Sequence, residues 1–179
     1  MTAFVTFRFD DSLPAKVVDA YRSECRRLDR LAAREPNNIE VQRERTRLFC
    51  ERIDRHLDAG HGSCALGNVP LAELVLNALR FFDGERCVFH AAVVMPNHAH
   101  VVATLAPEHE LAEITHSWKS FTAHQAVERH GQAKPFWQSE SYDHIVRDGY
   151  EFDRMVRYVL DNPRKAGLTN WPHVFGRRD

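Results

Sequence analysis

The first sixty residues combine one strand pattern with a long helical pattern. Residues 4–9, FVTFRF, mix apolar and polar positions with β-branched and aromatic side chains, which predicts a first β-strand. Residues 14–58 are richly charged, and their sparse apolar side chains have helical spacing, with a break at residues 35–37. The two glycines of residues 59–62 end this region. The pattern therefore predicts a strand followed by a pair of helices.

The middle of the chain carries a helix pattern and then a hairpin pattern. From Leu71 to Phe82, apolar side chains recur at about the 3.6-residue period of a helix, and Asn68 is a suitable cap in front of them. Residues 86–95 and 98–105 are rich in strand-forming side chains and are separated only by Pro96-Asn97. The sequence predicts a core-facing helix and then an antiparallel hairpin.

The last third predicts two more helices with a short extended stretch between them. One helix begins near Leu111 and closes before Gly131, and residues 136–146 contain the extended stretch. Asp148 with the acidic residue three positions later resembles a capping box for a final helix over about residues 149–161. Pro163 is expected to stop that helix, because the residue before a proline avoids the helical region.

The order of these elements indicates the fold class. Strand, helix, hairpin, helix, strand and helix, with a helical insertion over about residues 14–60, is typical of an α+β protein. We expect a ferredoxin-like antiparallel sheet with helices on one face. The 179 residues, of which 44% are hydrophobic, are enough for one domain spanning 1–179.

The composition and the absence of certain sequence patterns argue against several classes of protein. The chain lacks an apolar run of membrane-spanning length and a signal-peptide pattern, so a cytoplasmic protein is expected. The four cysteines include no Cys-x-x-Cys pair, which argues against a zinc knuckle or a redox dithiol. The formal net charge of −1 gives no indication of nucleic-acid binding by itself.

Two short segments carry the candidate chemistry. His98 and His100 are two positions apart on a predicted strand, so both imidazoles point to the same face and can bind one metal ion. Tyr158 and Asn162 are four positions apart on the final helix and share one of its edges. If that edge meets the histidines, an ion held by two imidazoles and an amide oxygen keeps open positions for a substrate.

A phosphodiester bound at such an ion would be open to attack by Tyr158, giving a covalent phosphotyrosine. Each signal also has a plainer interpretation. Histidines at this spacing are common as surface or structural residues, a helical tyrosine usually packs, and Asn162 followed by proline is an ordinary end of a helix.

Longer motifs resemble one family. The run VVMPNHAHVV is similar to the HUH motif (histidine, bulky apolar residue, histidine) of single-tyrosine transposases of the insertion-sequence type. The stretches WKSFTAHQA, PFWQSESYDHIVRD and YVLDNPRKAGL resemble the REP-associated tyrosine transposases, a branch of that superfamily. The resemblance extends from VTFRFDDSLP to about Trp171. One departure is Ala99, which stands where a bulky apolar residue is more usual.

The resemblance implies a role for each matching position. His98, His100 and Asn162 would bind Mg²⁺ or Mn²⁺, and Tyr158 would be the nucleophile. The implied activity is a single-stranded DNA endonuclease and strand transferase that cuts at hairpin-forming, REP-like repeats through a 5′-phosphotyrosine. Two imidazoles suit manganese better than magnesium. The resemblance leaves open whether the protein is a monomer or a homodimer, since relatives differ.

A further set of residues mixes aromatic, basic and polar side chains in a way that suits a DNA strand. Core packing or a solvated basic turn is the alternative for each of them. The candidate DNA-binding residues are Lys119, Lys134, Phe136, Trp137, Gln138, Arg147, Arg164 and Lys165.

Two other functions fit the same residues. One is a non-catalytic, domesticated DNA-hairpin-binding protein, which would keep the fold and the recognition surface without cleavage. The other is a metal-dependent phosphoesterase for small nucleotides, in which water takes the place of Tyr158.

Overall fold

The computed structural model describes residues 1–35 and 38–177. The predicted break at residues 35–37 thus falls mainly outside the described residues. The helices and strands are, in chain order, β1 (Thr2–Arg8), α1 (Ala15–Arg34), α2 (Ile39–Arg47), a π-helical turn (Leu48–Ile53), α3 (Asp54–Asp58), a 3₁₀ turn (Ala65–Gly67), α4 (Val69–Arg80), β2 (Cys87–Val94), β3 (His98–Leu105), α5 (Leu111–His130), β4 (Tyr142–Ile145), α6 (Gly149–Lys165) and β5 (Val174–Gly176).

The strands form one five-stranded sheet in the order β4-β1-β3-β2-β5, and every neighbouring pair is antiparallel. The run from β1 through α4, β2, β3 and α5 to β4 gives the strand order of a ferredoxin-like fold, and β5 extends it beyond β2. The predicted α+β class with an antiparallel sheet is confirmed. In the β1–β3 register, Thr6 lies opposite His100 and Arg8 opposite His98.

Helices cover both faces of the sheet. The side chains of Val5, Phe7 and Val101 pack in the main core, which α4 and α5 cover. Phe4 and Val102 point the other way, into a second core that includes the apolar stripe of α6. Helices α4 and α5 therefore lie on one face of the sheet, as predicted. The prediction that all helices lie on that face is wrong for α6, which covers the other face. The central strands are buried on both sides, so each side needs cover.

The helical insertion forms small cores of its own and is attached to the hairpin. One of these cores contains Leu13, Val18, Ile53 and Leu57. The side-chain amide of Asn97, in the β2–β3 turn, donates to the carbonyls of Leu57 (3.0 Å) and His61 (3.1 Å). The end of the insertion is thereby held against the start of β3.

The loop after α3 depends on a glycine. Gly62 has a φ of +85°, and a Cβ there would lie 2.5 Å from the carbonyl oxygen of Asp11. A larger side chain is therefore excluded on both grounds. The neighbouring backbone amide of Ser63 donates to Asp11 Oδ2 at 2.7 Å, which closes the loop onto the end of β1.

The ends of α6 test two expectations. Asp148 accepts a hydrogen bond from the Glu151 amide at 2.8 Å, as a capping residue should. The predicted stop at Pro163 is wrong, because α6 continues to Lys165. Pro163 has no backbone N–H to donate, so α6 lacks one hydrogen bond near its C-terminal end. Asn162 and Pro163 are both buried at that end. Among the described helices, none has the length and apolar character needed to span a bilayer.

Candidate active site

The two imidazoles of the HUH-like motif lie side by side beneath α6. His98 and His100 are on β3, and each is 0% exposed. Their Nε2 atoms are 3.1 Å apart, which is near the roughly 3 Å expected between adjacent ligands of an octahedral ion with bonds of about 2.1 Å. The common face predicted from their spacing is what brings these nitrogens together.

Neighbouring side chains orient both rings. Because the Asn97 amide group donates to two carbonyls, its Oδ1 accepts from His98 Nδ1 at 2.8 Å. Neutral His98 then keeps its lone pair on Nε2, the nitrogen that faces His100. On the other side, Thr6 Oγ1 lies 2.6 Å from His100 Nδ1 and can donate or accept. Partners of this kind fix the rings of metal-binding histidines.

Burial keeps both rings neutral. Burial lowers the pKa of His98 to about 3, and the nearby Asn162 side chain acts in the opposite direction. Burial also lowers the pKa of His100 well below its usual value, and the neighbouring His98 ring and the positive charge of Lys165 act in the same direction. Neutral imidazoles are the form that binds metal ions, so the pair is in its ligating state at neutral pH.

The insertion brings a carboxylate to this pair that sequence reasoning missed. Asp54, the first residue of α3, is 3% exposed, and its Oδ2 lies 3.6 Å from His100 Nε2. Neither of its oxygens has a hydrogen-bond partner among the described residues. Burial, with Asp58 adding to it, raises the pKa of Asp54 well above its usual value. Burial also raises the pKa of Asp58 to about 6.

Asp54, His98 and His100 form a candidate metal-binding cluster. One ligand atom from each of Asp54, His98 and His100 can be chosen so that all lie within 4.8 Å of one another. Two neutral nitrogens and a carboxylate are a donor set that divalent cations accept. Local periodicity gave no signal for Asp54, whose only hint was a second aspartate one helical turn later.

Helix α6 supplies the other two predicted residues. The Tyr158 ring is 5.6 Å from the His100 ring and 5.7 Å from the Phe4 ring, measured between centroids. Its hydroxyl is buried and meets no hydrogen-bond partner within the described chain. Lys165 Nζ sits 4.4 Å from the centre of the same ring. The phenol therefore lies at the edge of the histidine pair with a cation beside it.

Asn162 lies deeper than Tyr158. It is 1% exposed, and its Oδ1 also lacks a hydrogen-bond partner in the part of the chain that the structure describes. An orphaned, buried amide oxygen is costly unless something binds it. The unpaired oxygens of Asn162 and Asp54, together with the two imidazole nitrogens, fit a bound cation.

The structure separates the candidate DNA-binding residues into two groups. Phe136 and Trp137 belong to the main core, and Trp137 Nε1 donates to Thr122 Oγ1 at 2.8 Å. Gln138 is buried and donates to the Asp10 carbonyl, while Lys119 Nζ donates to the carbonyls of Gln138 and Ser139. These four side chains make contacts that hold the fold together, and they also line the same groove as Lys134, so their DNA-binding role stays a prediction.

The remaining four candidates are exposed. Arg147, Arg164 and Lys165 lie at the two ends of α6, and Lys165 contacts Tyr158. Lys134 lines a groove of about 1080 Å³ beside α5 and the β4 edge. That groove opens on the α5 face of the sheet, opposite the histidines, because it is lined by Val5 and Asp143. Lys165 is therefore the basic candidate that the structure places at the candidate site, over the Tyr158 ring.

Comparison with known proteins bears on the fold. No family model matches the sequence, and no curated protein matches it. The structure of a REP-associated tyrosine transposase bound to a REP hairpin aligns with a TM-score of 0.54 and 15% identity, covering 97% of this chain and 74% of that one. A candidate transposase from Deinococcus radiodurans aligns over 90% of each chain at 10% identity, but its TM-score of 0.37 is too low to carry an argument. This protein has a fold similar to that of a REP-associated tyrosine transposase, as its motifs predicted.

Proposed function

We propose that this protein is a metal-dependent, single-stranded DNA endonuclease and strand transferase that acts at hairpin-forming repeats through a covalent bond to Tyr158. The observation that carries the proposal is the position of the phenol, whose ring lies 5.6 Å from that of His100 within one chain. The fold similarity to a transposase whose structure contains a REP hairpin supports the same substrate class.

The metal in this proposal is Mg²⁺ or Mn²⁺, held by His98 and His100 with the amide oxygen of Asn162. When bound, such an ion would polarise the phosphodiester and stabilise charge on the reacting oxygens. The neutral, oriented imidazoles and the orphaned Asn162 oxygen support this assignment.

The chemical step belongs to Tyr158. Its phenol oxygen forms a bond to phosphorus after losing its proton to solvent, and the bond from phosphorus to the 3′ oxygen breaks. The leaving 3′ oxygen takes up a proton, and the 5′ phosphate remains on the tyrosine. A free tyrosine has a pKa of about 10, so attack at neutral pH requires nearby positive charge. Lys165, at 4.4 Å from the ring centre, provides one such charge.

The products explain how joining can follow cutting. The phosphotyrosine retains the energy of the broken linkage, so a 3′ hydroxyl can attack it and reform a phosphodiester without ATP. Because the phenol and the imidazoles come from one chain, the arrangement supports a site complete in a monomer.

The test is formation of a covalent adduct. Purified protein, Mn²⁺ and a fluorescent oligonucleotide containing a hairpin should give a labelled protein band that survives denaturing electrophoresis. Tyr158→Phe should abolish the band. Tyr150→Phe is the matched control, because Tyr150 is on the same helix, is 82% exposed and lies two turns away; it should leave the band intact.

Other outcomes would support the other functions. An adduct that persists in Tyr158→Phe removes Tyr158 from its role. Tight hairpin binding with no adduct from the wild-type protein favours the non-catalytic hairpin-binding protein. Hydrolysis of a small phosphodiester by Tyr158→Phe favours a phosphoesterase that uses water.

A further inference from the structure

The carboxylate of Asp54 is buried without the hydrogen-bond donors that would compensate its charge among the described residues. The side chain is buried, and neither oxygen accepts a hydrogen bond from any described residue. An isolated buried carboxylate is strongly unfavourable, because burial removes its hydration without replacing it. Its position therefore calls for a partner that the described residues do not supply.

His100 and Lys165 do not fill this need. His100 Nε2 is 3.6 Å from Asp54 Oδ2, beyond hydrogen-bonding distance, and the ring is neutral. Lys165 acts on Asp54 only through longer-range attraction, forms no salt bridge with it in the described structure, and is positioned over the Tyr158 ring. A cation between Asp54 and the imidazoles is the partner that the geometry favours.

We propose that Asp54 binds the divalent ion of the active site directly, which makes the helical insertion part of the metal centre. This inference rests on the metal-dependent function proposed above and adds a ligand from outside the HUH-like motif. An anionic oxygen would balance part of the ion's charge and would make the site harder than two imidazoles alone, as Mn²⁺ and Mg²⁺ prefer.

The distances support a shared ion. Ligand atoms of Asp54 and both histidines lie within 4.8 Å of one another, and the His98–His100 nitrogen separation of 3.1 Å fits adjacent positions around one cation. The 3.6 Å separation between Asp54 and His100 requires only a small movement to reach the same spacing of roughly 3 Å.

The fold holds Asp54 in this position. Three residues after it, Leu57 is buried, and its carbonyl accepts a hydrogen bond from Asn97. Asn97 also accepts from His98, so one side chain joins α3 to the metal-binding strand. The insertion and the imidazole pair are therefore connected by contacts that do not need the ion.

The experiment compares Asp54→Asn with Asp58→Asn. Asp58 is one turn further along α3 and is also a buried carboxylate in part, so it is the matched control. Mn²⁺ affinity is measured by calorimetry, and the melting temperature is measured with Mn²⁺ and with EDTA. Asp54→Asn should weaken Mn²⁺ binding at least tenfold and lose most of the Mn²⁺-induced rise in melting temperature, while Asp58→Asn should stay within about threefold of wild type.

A second signature separates ligation from a structural role. In EDTA, Asp54→Asn should melt at or above the wild-type temperature, because an amide of the same size avoids the cost of burying a carboxyl group that has no hydrogen-bond partner among the described residues. A residue that merely supports the fold would lower the melting temperature in EDTA and in Mn²⁺ alike. Asp54→Glu provides a further check, since a longer carboxylate should recover part of the affinity.

His98→Asn separates the two proposals. If His98→Asn loses Mn²⁺ binding and Asp54→Asn does not, the role of Asp54 is refuted and the proposed function stands. If both variants bind Mn²⁺ like the wild type, or the wild type does not bind it, the metal site fails and the proposed function fails with it. If Asp54→Asn melts lower than wild type by the same amount in EDTA and in Mn²⁺, Asp54 is structural and the inference is refuted.

Discussion

Replacing Asn97 with alanine should damage the fold and the candidate site together. The side chain makes three hydrogen bonds, two as donor to the carbonyls of Leu57 and His61 and one as acceptor from His98, with lengths between 2.8 and 3.1 Å. Asn97 is 1% exposed, so water cannot enter freely to replace them. A single substitution therefore releases the insertion from β3 and frees the His98 ring at the same time.

The magnitude follows from those contacts. Each buried hydrogen bond contributes about 1 kcal/mol net, and an acceptor left unpaired costs about 1–3 kcal/mol. The Leu57 carbonyl keeps a second partner, the Gly60 amide at 3.0 Å. Losing the hydrogen bond from Asn97 to this carbonyl should therefore cost a free energy near the lower limit of that range. We expect the free energy of unfolding to fall by roughly 2–4 kcal/mol. Mn²⁺ affinity should fall about 10- to 100-fold, as it does when a partner of a ligating histidine is removed.

The assay is urea unfolding in EDTA for the stability arm and calorimetry with Mn²⁺ for the metal arm. Asn68→Ala is the matched control, because Asn68 caps α4 by accepting a 3.3 Å bond from the Leu71 amide, and α4 covers the face of the sheet opposite the histidines. It should cost about 1 kcal/mol and leave Mn²⁺ affinity unchanged. The reasoning is refuted if Asn97→Ala is no less stable than Asn68→Ala, or if both bind Mn²⁺ equally.

Two further predictions concern pH and the aromatic core. Burial lowers the pKa of His98 to about 3. Below about pH 6.5 the unfolded chain therefore binds a proton at this residue that the folded, metal-free protein does not bind. As the pH falls, the free energy of unfolding should decrease by about 1.4 kcal/mol per pH unit from this residue. Urea unfolding in EDTA at pH 7 and pH 5 should show a shallower dependence in His98→Asn, and equal dependence would contradict the burial argument. Trp137→Phe loses the bond to Thr122 and should cost roughly 1–2 kcal/mol, while hairpin affinity measured by fluorescence anisotropy stays within about twofold. A large loss of affinity in the folded variant would return Trp137 to the DNA-binding surface.

The amino-acid pattern was sufficient for everything that depends on neighbours along the chain. Strand β3 begins at His98 and ends at Leu105, as predicted, because the strand-forming run and the preceding Pro96-Asn97 turn are local signals. The two-residue period of a strand made the imidazoles share a face, and the four-residue spacing of a helix placed Tyr158 and Asn162 together.

Other features could not be read from local patterns. The extended stretch around Phe136 and Trp137 mixes aromatic and polar residues, which fits either a DNA strand or a core, and only packing against Phe7 and Phe9 decides for the core. Pro163 is a strong local stop signal, yet burial of its side chain in the last turn outweighs the lost hydrogen bond.

The sequence by itself determined the order of the elements, the antiparallel hairpin and the pairing of histidine with histidine and of tyrosine with asparagine. Tertiary structure alone decided that α6 covers the second face of the sheet, that its edge brings Tyr158 to His100, and that Asp54 reaches them from the insertion. The physical reason is that periodicity reports which side chains share a face of one element. Which faces meet is set by the burial of apolar surface from distant segments, and that information is distributed over the whole core.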